Sequence, residues 1–425
     1  MLNRIDPPVF HPIERVNILS PESMELSNGA KLFVFSAGDQ DLIRVQWVFN
    51  NRGFQIDKPL AHAALSANLM EGTTKHSSAI IAESIDYYGA FLYPEFSYDH
   101  TALSLITLGK HLNKVLPIVV DILNDANFPQ EELDTYCRNS KQSLKIALKK
   151  NDSVARREFN NALFGDTLYG FKAGEEDYNN LQRTDVIELF RQQINPSNCS
   201  IFLSGKVDNA MTDYVFRTLE KDWKKGDKLE PESRIKNLNG ITKEVVVQKD
   251  KALQTAVRLG NISIGRSHPD FPSLQVVNAL FGGFFGSRLM ANIREDKGYT
   301  YGIGSHLVSL SDAAYLTVAT EVGAEFTSQT LTEVEYEIDR LKNEPVSNEE
   351  LALVKNYLLG SLLGSLQDVF SHVDKFRQVY YSGLSLDYYD YYTQQVNQMI
   401  PEDVQRLANK YLDFSQMTKV LVGKI

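Results

Sequence analysis

The sequence predicts an α+β protein made of two homologous domains, each an antiparallel sheet with packed helices. Three observations predict this class. The 425 residues exceed the length that one hydrophobic core usually serves. Segments in the two halves of the chain resemble each other at a fixed offset, which indicates a duplicated unit. Each half also contains both strand-type and helix-type hydrophobic patterns.

The composition excludes several classes of protein and partner. With 43% hydrophobic and 23% charged residues, the chain is neither disordered nor fibrous. A net charge of -10 without a dense Lys/Arg block argues against nucleic acid as a partner. No apolar run is long enough to span a membrane, and no signal segment is visible, so we expect a cytoplasmic location ahead of a periplasmic one. Cys137 and Cys199 belong to no metal-binding or disulfide pattern.

The elements of the first half follow from their hydrophobic periods. The β-type runs KLFVF, IRVQWVF, HTALSLITL and SIFLSG predict strands. Between them, LAHAALSANLMEGT (residues 60–73) predicts a small-residue helix that ends at a glycine. Residues 111–125 and 130–150 have helical periodicity.

The repeat defines the second half. Asp185, Val186, Leu189, Gly205 and Lys206 of residues 185–206 recur in residues 403–424 at an offset of 218. Each copy predicts a helix, a turn and a strand that ends in Gly-Lys. GIGSHLVSL and AYLTVATEV predict an antiparallel hairpin. Residues 226–242 are charged and contain Gly, Pro and Asn, so we predict a linker there, between domains at residues 1–225 and 243–425.

The order of the motifs resembles the pitrilysin/insulinase family of zinc metallopeptidases, in particular its short, processing-peptidase-like branch. The resemblance rests on the helix ending Glu-Gly-Thr, then ALFGDTLYG, PSNCSIFLSGKVD, GGFFGSRL, REDKGYTYGIGS and PEDVQRLANKYLD, and it covers nearly the whole chain. It implies two homologous α+β domains that form one half of a clamshell. A catalytic chamber then forms when two such halves close on each other.

Active members of this family contain the motif H-x-x-E-H on the first helix, where two histidines bind zinc and the glutamate is the general base. This chain lacks it. The resemblance places the three motif positions at Ala63, Ser66 and Ala67 and the downstream metal ligand near Ser143. His62 is one residue out of register, about 100° around the helix from the metal face. We therefore predict a degenerate zinc site and no metal or other cofactor in this chain.

The histidine spacing agrees with that prediction. No two of the eight histidines are three or four residues apart, so no helix can present a two-histidine metal face. A zinc site assembled from residues distant in sequence remains an alternative. The histidines are His11, His62, His76, His100, His111, His268, His306 and His372.

The second half retains an Arg/Tyr pair. Within REDKGYTYGIGS, Arg294 and Tyr301 match the residues by which family members contact substrate from the C-terminal domain. A guanidinium and a phenol can both donate hydrogen bonds to a peptide carbonyl and to the oxyanion it becomes. The alternative is structural: Arg294 is a helix C-terminal cation beside Glu295 or Asp296, and Tyr301 packs at a strand edge.

Gly282, Gly283 and Gly286 form the other retained feature. The resemblance matches them to a glycine-rich loop that handles substrate in the noncatalytic subunit of the processing peptidase. Glycines also allow a helix end to pack closely against a sheet, and we favour that packing role.

These features predict a noncatalytic subunit of a heteromeric zinc metallopeptidase that cleaves peptides or unfolded chains. A homologous partner subunit would supply zinc and base, and this chain alone would be inactive. One alternative is a purely structural or peptide-binding homodimer without peptidase activity. Another is an autonomous hydrolase with Ser66 as nucleophile, which the absence of a G-x-S-x-G motif disfavours.

Overall fold

The computed structural model describes residues 12–224, 226 and 242–425, and they form two mixed sheets with helices around them. Between its two end positions, the predicted linker 226–242 lies outside the described residues. The exact boundary between the two halves therefore stays a prediction.

The first half contains the described strands and helices β1 (Glu22–Glu25), β2 (Lys31–Ser36), β3 (Ile43–Asn50), α1 (Ala61–Asn68), α2 (Ser78–Tyr87), β4 (Phe91–Phe96), β5 (His100–Thr107), α3 (Leu112–Asp125), α4 (Gln130–Ala147), α5 (Asn151–Phe164), α6 (Glu175–Asn180), α7 (Arg183–Gln193), β6 (Cys199–Gly205) and α8 (Asn209–Asp222).

The second half contains β7 (Glu244–Gln248), β8 (Gln254–Ile262), α9 (Phe271–Asn278), β9 (Thr300–Ser309), β10 (Ala314–Gly323), α10 (Thr327–Asn343), α11 (Asn348–Gly364), α12 (Val369–Tyr380), α13 (Asp387–Gln398), α14 (Pro401–Tyr411) and β11 (Thr418–Gly423). The predicted hairpin of β9 and β10 is confirmed. The repeat is confirmed as well, since α7–β6 and α14–β11 are both a helix followed by a central strand.

Both sheets share one strand order, with β1 as an extra strand in the first. The orders are β1-β2-β6-β3-β5-β4 and β7-β11-β8-β10-β9. The α+β class is confirmed, but the prediction of purely antiparallel sheets is wrong for one strand pair in each. The last strand of each half inserts between earlier strands, so β6 is parallel to β2 and β11 is parallel to β7. The long helical connection before that strand permits the parallel direction, which a hairpin cannot produce.

Each sheet buries one face under helices of its own half. In the first half, Val45 and Leu103 of the sheet share a core with Ala64 of α1 and Val119 of α3. In the second half, Val318 of β10 belongs to a matching core with helices α9, α10 and α14. The α1 helix is thereby fixed against the sheet by its small and apolar residues.

The opposite faces of the sheets are covered by exchanged helices. Helix α5 of the first half packs on β8 and β11, where Phe159 shares a core with Ala256 and Val420. Helix α12 of the second half packs on the first sheet, where Val373 joins Phe202. The two helices begin 218 residues apart, which is the offset of the repeat, so the exchange is symmetric. Each half thus completes the core of the other.

Among the helices of residues 12–224 and 242–425, none combines the length and the apolar character that crossing a bilayer requires.

Candidate functional site

Helix α1 keeps the position of a zinc-binding helix without its chemistry. Ala63 is half-buried, Ala67 is exposed and Ser66 is buried at 3% exposure. On α4, Ser143 is exposed. Zinc is bound by thiolate, imidazole or carboxylate, and none of these four side chains offers such a group. The residues at the degenerate site therefore do not fit the metal, and a buried Ser66 is poorly placed as a nucleophile for an incoming substrate.

The rest of the described chain offers no replacement site. Across residues 12–224 and 242–425, no three or more His, Cys, Asp and Glu side chains come together in a way that could hold a metal ion. His62 is 4% exposed, and its Nε2 lies 2.8 Å from the carbonyl oxygen of Arg52. The imidazole therefore donates a hydrogen bond to the backbone carbonyl of Arg52, because that carbonyl can only accept.

The Glu-Gly-Thr turn after α1 has a structural role that the sequence did not reveal. Gly72 has a φ of +147°, and an added Cβ would lie 2.9 Å from Asn127 Oδ1. Thr73 Oγ1 donates to Asp121 Oδ2 of α3 at 2.7 Å. Burial alone would raise the pKa of the Asp121 carboxyl, but hydrogen bonds from Lys75, Thr73 and His76 lower it below its ordinary value. The turn is thus pinned to α3 by a charged cluster.

Arg294 lies in a π-helical turn, Met290–Asp296, which follows the glycine segment. Such turns are rare and concentrate at functional sites. The guanidinium carbon lies 4.7 Å from the centre of the Phe285 ring, and Nη1 is 3.7 Å from Glu295 Oε1. A long, half-exposed pair of this kind is weak. Arg294 therefore keeps hydrogen-bonding capacity for another molecule.

Tyr301 projects from an irregularity in β9. Thr300 pairs with Val322 and Ile303 pairs with Thr320, so two residues of β9 oppose one residue of β10. This is a β-bulge, a device that redirects a side chain. Tyr301 is 93% exposed, which contradicts the structural alternative that it packs at a strand edge. The bulge turns the phenol toward solvent.

Two threonines hold the bulge. The hydroxyls of Thr300 and Thr320 donate to the carbonyl oxygen of Gly302 at 3.0 and 2.9 Å. An open cavity of about 320 Å3 lies beside the bulge and is lined in part by Tyr301, Thr300 and Glu321. Arg294 is not among its lining residues, so the two donors lie on neighbouring segments but not in one pocket.

Polar contacts that sequence reasoning missed hold the segment containing Arg294 against helices α10 and α11. Arg288 donates to both carboxylate oxygens of Glu350 on α11, at 2.8 Å each. The amide nitrogen of Asn292 donates to Glu337 of α10 at 2.8 Å, and Glu337 is 1% exposed. The available signal was the spacing of Arg288 and Asn292, which lie four residues apart before Arg294 in an otherwise apolar segment, since buried polar side chains need partners.

The glycines before this turn serve close packing. An added Cβ on Gly282 would lie 2.8 Å from the backbone nitrogen of Ser305 on β9. On Gly283 it would lie 3.0 Å from Asn278 Nδ2, and on Gly286 it would lie 2.8 Å from the Phe284 ring. These contacts favour the packing role and bring the backbone of the turn onto β9.

Comparison with known proteins places this architecture among peptidase-like chains. Residues 180–358 match the family model described as the peptidase M16 inactive domain. The chain is 24% identical over 310 residues to YmxG of Bacillus subtilis, named as an uncharacterized zinc protease, with 72% of this chain and 74% of that protein covered.

Solved structures show the same fold. A peptidase M16 inactive domain from Pseudomonas fluorescens superposes with a TM-score of 0.84 at 21% identity, covering 96% of this chain and 99% of that one. The periplasmic protease PqqL from Escherichia coli superposes with a TM-score of 0.77 at 17% identity, covering 100% of this chain and 49% of that one. This chain therefore corresponds in fold to about half of the longer protein.

Proposed function

We propose that this chain is a noncatalytic member of the pitrilysin/insulinase family of M16 peptidases and a subunit of a heteromeric zinc peptidase. The comparisons support the family, since residues 180–358 match the peptidase M16 inactive domain, a relative is named as a zinc protease, and a solved M16 inactive domain has the same fold. The sequence lacks the zinc motif. In the proposed complex, a homologous partner provides zinc and general base. This chain provides Arg294, Tyr301 and part of the chamber wall.

One contrast supports the proposal above all others. The metal positions Ala63 and Ala67 have lost every ligating atom, while Tyr301 stays 93% exposed on a bulge built to present it. Exposing a tyrosine forgoes the burial that aromatic side chains usually gain. A purely structural protein would not need an exposed tyrosine on a β-bulge.

The partner is proposed because of the chemistry that this sequence lacks. PqqL, a protease by name, is a longer chain of which this one covers 49%. In the proposed complex, a second unit would bring the H-x-x-E-H motif, which this sequence does not contain.

In the proposed complex, the two retained side chains act by donating hydrogen bonds. The phenol of Tyr301 and the guanidinium of Arg294 would hold the scissile carbonyl oxygen and stabilise the negative charge that develops on it. Zinc in the partner would activate the attacking water. Neither side chain can hydrolyse a peptide alone, because neither acts as the nucleophile or as the general base.

The test is to purify this chain alone, a zinc-motif homologue encoded beside it, and the mixture of the two. We expect the lone chain to bind no stoichiometric zinc and to leave an unstructured fluorogenic peptide intact. The mixture should form a complex and cleave that peptide. Activity with about one equivalent of zinc in the lone chain would refute the proposal. An inactive mixture in which this chain is a stable homodimer would favour the structural or peptide-binding alternative.

A further inference from the structure

A second cavity lies in the second half of the chain, beside strand β9, which also carries Tyr301, and Gly283 is among its lining residues. It has a volume of about 360 Å3 and is enclosed by helices α9, α11, α12 and α13 and strand β9. This volume is within the range of sites that bind small organic molecules. Neither Arg294 nor Tyr301 lines it.

The cavity is cationic. Arg266 and Lys375 line it, and its lining contains no Asp or Glu. Within the described part of the chain, neither cation lies within 4.0 Å of a carboxylate oxygen. The adjacent carboxylate, Asp374, is instead directed to a neighbouring cavity, where it lies 3.1 Å from Arg44 Nη2. Half-buried cations without a counterion are unfavourable unless an anion joins them.

A buried phenol points to the same conclusion. Tyr388 lines the cavity at 8% exposure, and no acceptor lies within hydrogen-bond distance of its hydroxyl. The guanidinium carbon of Arg266 lies 5.8 Å from the centre of the Tyr388 ring, so cation and phenol lie close together. Arg266 can donate a hydrogen bond to the phenol oxygen but cannot accept one, so the hydroxyl proton still lacks the acceptor that nearly all buried hydroxyls have.

The state of Lys375 is consistent with an anion site. Burial and the nearby Arg266 lower the pKa of its ammonium group, while Asp374 opposes that shift. A bound anion would replace the lost hydration of the ammonium and relieve its repulsion from Arg266. The remaining walls are mixed: Leu307, Leu358 and Leu362 are apolar, and Asn278, Gln275 and Gln378 carry amides.

We propose that this cavity binds an organic carboxylate, with the carboxyl group between Arg266 and Lys375 and in reach of the Tyr388 hydroxyl. The leucine side chains would receive an apolar body attached to that carboxyl group. Such a ligand has two sources: a free small carboxylic acid, or the C-terminal residue of a peptide that enters the cavity. The site is additional to the proposed Arg/Tyr function and does not depend on the zinc-bearing partner.

Calorimetric titration of the full chain tests the site with three probes of matched side chain. The probes are N-acetylphenylalanine, a hexapeptide ending in a free phenylalanine carboxylate, and the same hexapeptide with a C-terminal amide. We expect at least one carboxylate probe to bind, and the amide to bind at least tenfold more weakly than the free-acid hexapeptide wherever the latter binds. Preference for the free-acid hexapeptide identifies a peptide C-terminus as the ligand, and equal or better binding of N-acetylphenylalanine identifies a small acid.

Variants locate the binding. Lys375→Met should weaken binding at least tenfold, Lys375→Arg should retain it, and Tyr388→Phe should weaken it severalfold. Arg217→Gln removes an exposed cation elsewhere and should leave binding unchanged. Thermal unfolding of each variant confirms that it is folded. Absence of binding by both carboxylate probes, or equal binding by folded Lys375→Met and wild type, would overturn the proposal.

Discussion

Tyr301 is a residue at which an effect on activity can be measured without an effect on stability. Its side chain is 93% exposed, so Tyr301→Phe should change the free energy of unfolding by less than about 0.5 kcal/mol. In the proposed complex, the same change would remove one donor to the oxyanion. Loss of one such donor typically lowers kcat by roughly 100-fold or more. We therefore expect a large fall in kcat at unchanged melting temperature and zinc content.

A matched control for this change is Tyr336→Phe. Tyr336 is also an exposed tyrosine of the second half, at 52% exposure, but it lies on α10. It should affect neither turnover nor stability. Equal kcat for Tyr301→Phe and wild type would show that the phenol makes no contact with the reacting carbonyl.

Asp121 makes stability depend on pH. Its folded pKa is lowered below the ordinary value of 3.8, so its contribution is fully present above that value and is lost as the pH falls through the folded pKa. Asp121→Asn should cost on the order of 2 kcal/mol at about pH 7, because it weakens charged hydrogen bonds from Lys75 and Thr73. The difference from wild type should narrow as the pH falls below the ordinary pKa of 3.8.

Urea unfolding across this pH range measures the effect. Asp125→Asn is a control on the same helix, since Asp125 is in a more exposed pair with Lys224 at 3.6 Å. That variant should lose less than about 1 kcal/mol. A difference for Asp121→Asn that stays constant with pH would mean that its carboxylate is not the stabilising species.

At the scale of elements, the turn that contains Arg294 depends on Asn292. Asn292→Ala removes one donor to the buried carboxylate of Glu337 and leaves Arg340, at 3.2 Å, as the described side chain that still donates to it. The expected cost is about 1–3 kcal/mol in the free energy of unfolding. Because Arg294 lies two residues further along the same turn, peptidase turnover in the complex should fall as well.

Asn343→Ala is the control for that variant. Asn343 is an exposed residue of α10 whose amide donates only to a backbone carbonyl at 2.9 Å. Denaturant unfolding should show a change within about 0.5 kcal/mol. If both variants unfold at the wild-type midpoint, Asn292 does not brace the turn.

Gly282 and Gly298 lie on either side of the turn that contains Arg294, and each is required for a different reason. Gly298 has a φ of +67° and open space around an added Cβ, whereas Gly282 would place that atom 2.8 Å from the Ser305 nitrogen. Gly298→Ala should cost about 1–2 kcal/mol through its backbone, and Gly298→Asn should cost less, since Asn tolerates this region. Gly282→Ala should cost about 1–3 kcal/mol by overpacking, and Gly282→Asn should cost more. Melting temperatures in the reverse order would reject this assignment.

The sequence predicted regular elements well and their irregularities poorly. Helices at residues 112–125 and 130–147 and the β9–β10 hairpin follow directly from hydrophobic period. The bulge at Tyr301 and the π-helical turn at Arg294 each place one residue out of the regular register. The hydrophobic pattern on either side is still that of a regular strand or helix, so it does not reveal them. Parallel insertion of β6 and β11 depends on contacts between residues far apart in the chain, and so periodicity could not reveal it.

At the scale of the whole molecule, the duplication is visible in sequence but the helix exchange is not. The repeat at an offset of 218 predicted two similar units, yet α5 and α12 each cover the sheet of the opposite unit. Apolar residues such as Phe159 and Val373 could be buried equally well by either sheet. The hydrophobic pattern of a helix therefore does not indicate which sheet the helix covers. The degenerate zinc positions, in contrast, were predicted from the family resemblance and from the chemistry of the side chains, without tertiary information.

The exchange predicts that the two halves unfold as one cooperative unit. Both tryptophans, Trp47 and Trp223, are buried in the first half, so fluorescence reports on that half alone. Leu407 is fully buried in the core of the second half, and Leu407→Ala should cost about 2–5 kcal/mol. Since each half completes the core of the other, this change should lower the urea midpoint seen by tryptophan fluorescence as much as that seen by far-ultraviolet circular dichroism. Independent domains would instead leave the fluorescence midpoint unchanged and split the circular dichroism transition into two.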